Sequence, residues 1–335
     1  MSTPTHTYPF GIRFLAGVAI TLCASMAAAN PPPVHTEQVP GFFRVAIGDA
    51  TVTALYDGYV HLDPNLLKGR SQKEVQTLLA NMFLENDQGM QTAVNGYLVH
   101  TGDNLVLIDV GAGNCFGPTV GNIQDALGAA GYQPADVDTI LITHMHADHV
   151  CGLTTEDGKA VFPNATVWAA KTEADYWLNK QIAQQAPEQA RSFFERAQRA
   201  VAPYQSDDRF MTFNTGTAMD PDTSVVPGLT VVPTHGHTPG HASFLLQSGN
   251  AKLLIWGDIV HAHAVQLPYP EVSIEFDVDS AQAIKTRAAI LEDVVDNRWM
   301  VAGAHMPFPG LGHIRPEDRG YSWVPVNYAP LDANP

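Results

Sequence analysis

The sequence predicts an α/β protein in which mixed β-sheets are covered by helices. Short apolar, β-branched runs recur along the chain and cluster into meander groups with tight turns between them. Helical stretches fall between those groups rather than after every strand, which argues against a purely parallel, doubly wound sheet. No low-complexity linker or short repeat interrupts residues 40–330, so 41–330 reads as a single domain. A chain of 335 residues is ample for a full hydrophobic core.

Taken in order, residues 1–29 read as a secretory signal. Arg13 and His6 give a weakly basic start. Phe14 to Met26 is apolar but too short to span a bilayer, and Ala27, Ala28 and Ala29 supply an A-x-A cleavage pattern. The expectation is an exported, periplasmic protein with no membrane association after cleavage. Residues 30–40 form a Pro-rich leader. Phe43 to Val60 reads as a hairpin or meander turning at Gly48-Asp49, and Asn95–His100 and Asn104–Val110 as a second pair turning at Thr101-Gly102-Asp103. A helix over Asn122–Ala130 stops at Gly131. Val137–Thr143 and Ala165–Ala169 are strands, and helices follow over Lys171–Gln184 and, entered through Pro187, over Glu188–Val201. Strands over Leu229–Pro233, Ala242–Gln247 and Lys252–Trp256, a helix over Ala281–Val295 and a strand over Trp299–Ala302 complete the domain.

Composition narrows the function classes. With 18 Lys+Arg against 34 Asp+Glu, the net charge of −16 repels nucleic acid and anionic membranes. Three cysteines cannot form a disulfide scaffold. Cys115 and Cys151 remain after cleavage, and an oxidising compartment permits a bridge, while two buried thiols fit equally well. Fourteen histidines exceed ordinary packing needs and direct attention to metal binding.

The chemistry-bearing motif is His144-Met145-His146-Ala147-Asp148-His149, directly after the buried strand Ile140–Thr143. In extended chain His144 and His146 project from one face and can reach one ion. Asp148 and His149 follow a bend and can face a second. Further candidates repeat the same grammar of strand, then ligand. They are His235-Gly236-His237-Thr238-Pro239-Gly240-His241 after Leu229–Pro233, Asp258 after Lys252–Trp256, and His305 after Trp299–Ala302. Loops leaving strand ends present ligands from a rigid base.

In these motifs the chain resembles the metallo-β-lactamase superfamily, and within it methyl parathion hydrolases and their lactonase-like relatives. ITHMHADHV, FPNA, EADYWL, HGHTPGH and GHIRPEDRGY carry the likeness, from about Pro40 to Tyr328. The resemblance implies an αββα sandwich with a dinuclear site. One metal would take His144, His146 and His237, the other Asp148, His149 and His305, with Asp258 bridging. Asp109 would orient ligand loops, and His235 and His241 would play supporting roles.

Imidazole and carboxylate donors suit Zn, Mn, Co or Fe, with zinc the default for the two divalent ions. Two ions about 3.5–4 Å apart can share a hydroxide at neutral pH, the expected nucleophile. Asp148 is expected to handle a proton as the intermediate collapses. The resemblance places Phe116, Trp177, Phe193, His261, Ile274 and Phe276 around the substrate. An apolar aromatic cleft suits an uncharged, ring-containing ester. The expected activity is therefore that of a lactonase or arylesterase on a small-molecule ester. The alternatives are organophosphate triester hydrolysis and, in another class, a mononuclear iron sulfur-oxygenase. Family habit suggests a homodimer.

Overall fold

The alternation of large apolar residues along the strands builds two stacked sheets, seen in a computed structural model that describes residues 1, 2, 4, 32–84, 88–216 and 224–331. The signal segment expected over 1–29 lies almost wholly outside the described residues. The chain divides into the units Met1–Gln38 and Val39–Pro335. The described residues of the first carry no regular secondary structure. All elements below belong to the second. Among the described residues no helix is long and apolar enough to cross a membrane.

The first sheet runs in chain order through β1 (Phe42–Ile47), β2 (Ala50–Leu62), β3 (Met90–His100), β4 (Leu105–Ile108), β5 (Thr139–Leu141), β6 (Thr166–Ala170) and β7 (Phe210–Phe213). Its first four strands pair antiparallel and the remaining steps are parallel. The second sheet holds β8 (Ser224–Val226), β9 (Leu229–Pro233), β10 (Ala242–Ser248), β11 (Ala251–Ile255), β12 (Met300–Ala302), β13 (Leu311–Pro316) and β14 (Tyr321–Pro325). Only its β11–β12 step is parallel. Both sheets are thus mixed. Leu67–Lys68 and Ser273–Ile274 form a separate two-stranded ribbon.

The period of two assigns each strand face to a layer. Val106 and Ile108 pack between the sheets with Phe244, Leu246, Leu253 and Ile255. Leu105 and Leu107 face the other way, onto α2 (Ile123–Ala129) and α6 (Glu188–Ser206) through Leu127, Phe194 and Val201. Leu245 and Leu254 pack against Ile290, Leu291 and Val294 of α8 (Ser280–Asp296). The result is helix, sheet, sheet, helix. The remaining α-helices among the described residues are α1 (Gln72–Asn81), α3 (Ala147–Val150), α4 (Lys171–Trp177), α5 (Lys180–Gln185) and α7 (His263–Gln266).

The helix expected over Lys171–Gln184 is two helices. Asn179 breaks it, because its side-chain oxygen accepts from the Gln181 and Ile182 N–H groups and caps α5 (2.9 and 3.2 Å). The next helix runs five residues past Val201, through Pro203.

Candidate metal centre

The site residues follow strand ends, most of them in loops and Asp148 and His149 in the short helix α3, and buried carboxylates tie these segments together. Asp109, just past β4, has φ +57°, a left-handed conformation rare for a residue with a side chain. The position lets its carboxylate accept from the Thr143 N–H (2.9 Å) and hydroxyl (2.8 Å) and meet His149 Nδ1 (2.8 Å). Glu173, wholly buried in α4, accepts from the Met145 N–H, the Thr238 hydroxyl and the Gly240 N–H, each at 2.8 Å. It therefore bridges the two histidine-bearing loops. At Gly257 a Cβ would lie 2.7 Å from His241 Nε2, so only glycine lets the β11 loop pass.

The structure brings the seven expected residues into one cluster. His144, His146, His237 and Asp258 offer donor atoms within 4.8 Å of one another, and so do Asp148, His149 and His305. Asp258 lies between the two groups. Its Oδ2 is 3.4 Å from His144 Nε2, and 3.2 Å from both His237 Nε2 and His305 Nε2. Its Oδ1 is 3.2 Å from His149 Nε2. His146 presents Nδ1, 3.0 Å from His237 Nε2. Asp148 Oδ2 lies 3.5 Å from His149 and 3.4 Å from His305.

The opposite ring nitrogens are also held. His149 Nδ1 meets Asp109, His237 Nδ1 meets Asp277 (2.9 Å), and His305 Nδ1 meets the Ala93 carbonyl (2.8 Å). Such contacts fix ring orientation and leave the inward nitrogen free as a donor. His241 braces from behind, its Nε2 accepting the Asp258 N–H (3.0 Å). His235 lies apart, 3.1 Å from the Thr215 hydroxyl.

Does this donor set fit a metal pair? Burial drives His144 and His146 far below the usual histidine range, which makes them neutral donors. Burial also acts on His149 and His237, but the surrounding carboxylates outweigh it and hold His149 high and His237 at about 9. The cluster thus draws positive charge to itself. Moreover, His144 Nε2, His149 Nε2 and Asp258 Oδ1 are buried with no hydrogen-bond partner. Orphaned inward donors are costly in apolar surroundings and are satisfied by a cation. The set fits two divalent ions.

A cavity of about 330 Å³ opens on the cluster, reaching His146, Asp148, Asp258 and His305. Of the residues expected around the substrate, Phe116, Phe193, His261 and Phe276 line it. Trp177 and Ile274 do not. Trp177 is buried against Tyr176 and Phe194 with its ring edge-on to His146 (5.2 Å), and Ile274, within the ribbon opposite Leu67, packs into the cluster of Leu67 and Val75. His261 goes further than a wall position: its Nε2 is 3.1 Å from Asp258 Oδ2. His61 also lines the cavity and no sequence motif marks it. Cys115 and Cys151 are joined in a disulfide.

Comparison with known proteins places the chain among metallo-hydrolases of one fold. The family model described as the metallo-beta-lactamase superfamily matches residues 89–305. A protein named "Probable metallo-hydrolase" from Mycobacterium tuberculosis is 27% identical over 190 residues, covering 52% of this chain and 58% of its own. The N-acyl homoserine lactonase AttM of Agrobacterium fabrum is 30% identical over 142 residues, covering 39% and 44%. The chain therefore spans about half the length of the curated relatives it matches. Among solved structures, the hydrolase AbOPH, described as in the beta lactamase superfamily, has a TM-score of 0.82 at 40% identity, covering 88% of this chain and 100% of its own. AidC, a dizinc quorum-quenching lactonase in complex with a product, has a TM-score of 0.77 at 28% identity, covering 87% and 99%. The motif-bearing loops, the sandwich that carries them and these matches converge: the chain belongs to the metallo-β-lactamase superfamily.

Proposed function

We propose that this metal-dependent hydrolase opens lactones and cleaves aryl esters at a dinuclear, zinc-loaded centre. One observation carries the reading: two three-residue donor sets meet on the carboxylate of Asp258 at the floor of an aromatic-walled cavity. His144, His146 and His237 would hold one ion and Asp148, His149 and His305 the other, with the Asp258 carboxylate within reach of both sets. When bound, the ions lower the pKa of a water toward neutrality and polarise the ester carbonyl.

The remaining work falls to the chain. Phe116, Phe193 and Phe276 exclude bulk water and receive the flat apolar part of the ester. Asp148, whose side chain keeps 18% of its surface exposed, is the carboxylate of the set best placed to take a proton and return it to the leaving alkoxide. His261 holds Asp258 from the cavity side, and Asp109 and Asp277 hold the rings of His149 and His237 from behind. The lactonase relatives support the substrate class. The apolar stretch Phe14–Met26 with its alanine site, together with the Cys115–Cys151 disulfide, supports export to an oxidising compartment such as the periplasm.

A substrate panel tests the reading: kcat/KM for an aromatic lactone, an N-acyl homoserine lactone, an aryl ester and methyl parathion. The lactones and aryl ester are expected to lead. A lead for methyl parathion would overturn the substrate class and leave the metal centre standing.

A further inference from the structure

We propose that the Cys115–Cys151 disulfide is a specificity-determining brace. It sets the position of Phe116 over the cavity, and so selects the ester by the size of its aryl part. The proposal rests on the hydrolase reading above for its choice of substrates.

Residues 109–113 run directly against the segment that carries the metal-site motif. The Val110 N–H donates to the His149 carbonyl (3.0 Å) and the Gly152 N–H to the Gly111 carbonyl (3.1 Å). The approach is so close that a Cβ on Gly152 would lie 1.9 Å from the Val110 carbonyl oxygen. The Asp57 carboxylate holds the next residue, accepting from the Ala112 N–H at 2.9 Å.

Beyond Ala112 the loop turns outward. The Cys115 N–H closes a turn on the Ala112 carbonyl (2.9 Å), and the next anchor is the Thr119 carbonyl, which accepts from the Tyr59 N–H (3.0 Å). Between these anchors stands Phe116, 40% exposed, with the Arg196 guanidinium 5.2 Å from its ring centroid. Gly113 and Gly117 lie on either side of it at φ +49° and +92°, conformations that favour glycine; Gly113 sits against the Cys151 backbone, while Gly117 stands in open space. The covalent tie of that tip is Cys115, adjacent to Phe116, bonded to Cys151. Cys151 is buried two residues beyond His149. One bond therefore joins the cavity wall to the metal-site segment. Besides that bond, the tip meets the Arg196 guanidinium over the Phe116 ring and the Arg199 guanidinium 3.9 Å from Cys115 Sγ, both at half-exposed or exposed positions.

Cys115 is only half-buried, so a reductant has access to the pair. A water-soluble phosphine delivers two electrons. It becomes the phosphine oxide by taking the oxygen of one water, whose two protons leave two thiols in place of the S–S bond. A phosphine is chosen over a dithiol because thiolates also bind zinc.

The test compares oxidised protein, phosphine-reduced protein and the Cys115→Ser/Cys151→Ser variant. Three readouts are taken: kcat and KM for phenyl acetate and for γ-butyrolactone, backbone hydrogen exchange across 113–119, and bound metal. The brace predicts that KM for phenyl acetate rises at least fivefold with kcat within twofold, while both constants for γ-butyrolactone stay within twofold. Exchange across 113–119 accelerates at least tenfold and metal content does not change. Unaltered exchange and KM in both reduced and variant protein would overturn the proposal. So would equal losses on both substrates accompanied by metal loss, which would make the bond a support of the metal segment alone. If neither substrate is turned over in any form, the hydrolase reading fails, and exchange across 113–119 still decides whether the brace exists.

Discussion

Glu173 concentrates three hydrogen bonds on one buried carboxylate, and through them it locks the loop of His144 and His146 to the loop of His237. Burial raises its pKa, so the three donors are what keep a charge tolerable there. Glu173→Ala strands two N–H groups and a hydroxyl. It should cost about 3 kcal/mol in urea unfolding, from the typical penalty for unsatisfied buried donors. Bound metal should fall as well. Glu173→Gln, which keeps one acceptor oxygen, should lose less. Asp109 acts through His149 and Thr143 rather than on substrate. Asp109→Ala should weaken metal retention against a competing chelator by roughly 10–100-fold, the usual effect of losing a partner behind a ligand. Retention equal to the wild type would remove Asp109 from the site's support. The cluster residues stood out as candidates because each follows an apolar strand and carries a rare, concentrated donor type, while the choice of His237 over His235 and His241 after the same strand came from the family resemblance. Glu173, Asp277 and Asp57 were not. A single carboxylate in a helix or loop looks like surface until the fold shows what backbone it faces.

At the level of elements, the strands and long helices could be read from periodicity, and the misreadings have local causes. Asn179 breaks a helix that apolar spacing alone would continue. Helix α1 carries a full capping box, Ser71 with Glu74, yet its weak apolar face hides it. The hairpin β13–β14 alternates too shallowly to stand out, since β14 is a half-exposed edge strand. The aromatic wall divides along α6. Phe193 faces the cavity while its neighbour Phe194 packs at a tilt against Trp177 in the core, a choice that adjacency on a helix forces but does not decide. The disulfide links residues 36 apart in sequence. Closing a loop of that length stabilises a fold by about 3–4 kcal/mol. Urea unfolding of the Cys115→Ser/Cys151→Ser variant should show a loss of that size, and a loss below about 1 kcal/mol would mean the reduced chain keeps the two segments together unaided.

Across the whole molecule, two mixed sheets bring the segments after β5, β9, β11 and β12 to one cluster, with the β4 loop supporting it through Asp109. The layer between the sheets, with Val106, Ile108, Phe244 and Leu253 fully or almost fully buried, is what makes that convergence rigid. Metal binding should therefore feed back on global stability. An ion pair held at 100 times its dissociation constant adds about 2.7 kcal/mol per site. Chelation should lower the melting temperature by roughly 5–10 °C in a domain of this size. No change on chelation would mean that the orphaned donors His144 Nε2, His149 Nε2 and Asp258 Oδ1 are satisfied in some other way.

The central claim is that two ions, shared across Asp258, make this chain a hydrolase. The most direct measurement is metal titration of chelator-stripped protein, following bound zinc and lactone turnover together. The account predicts that turnover is absent without metal and rises until two equivalents are bound, and that Asp258→Ala abolishes the second equivalent and the activity together. Full turnover at one equivalent, or turnover that survives the chelator, would contradict it.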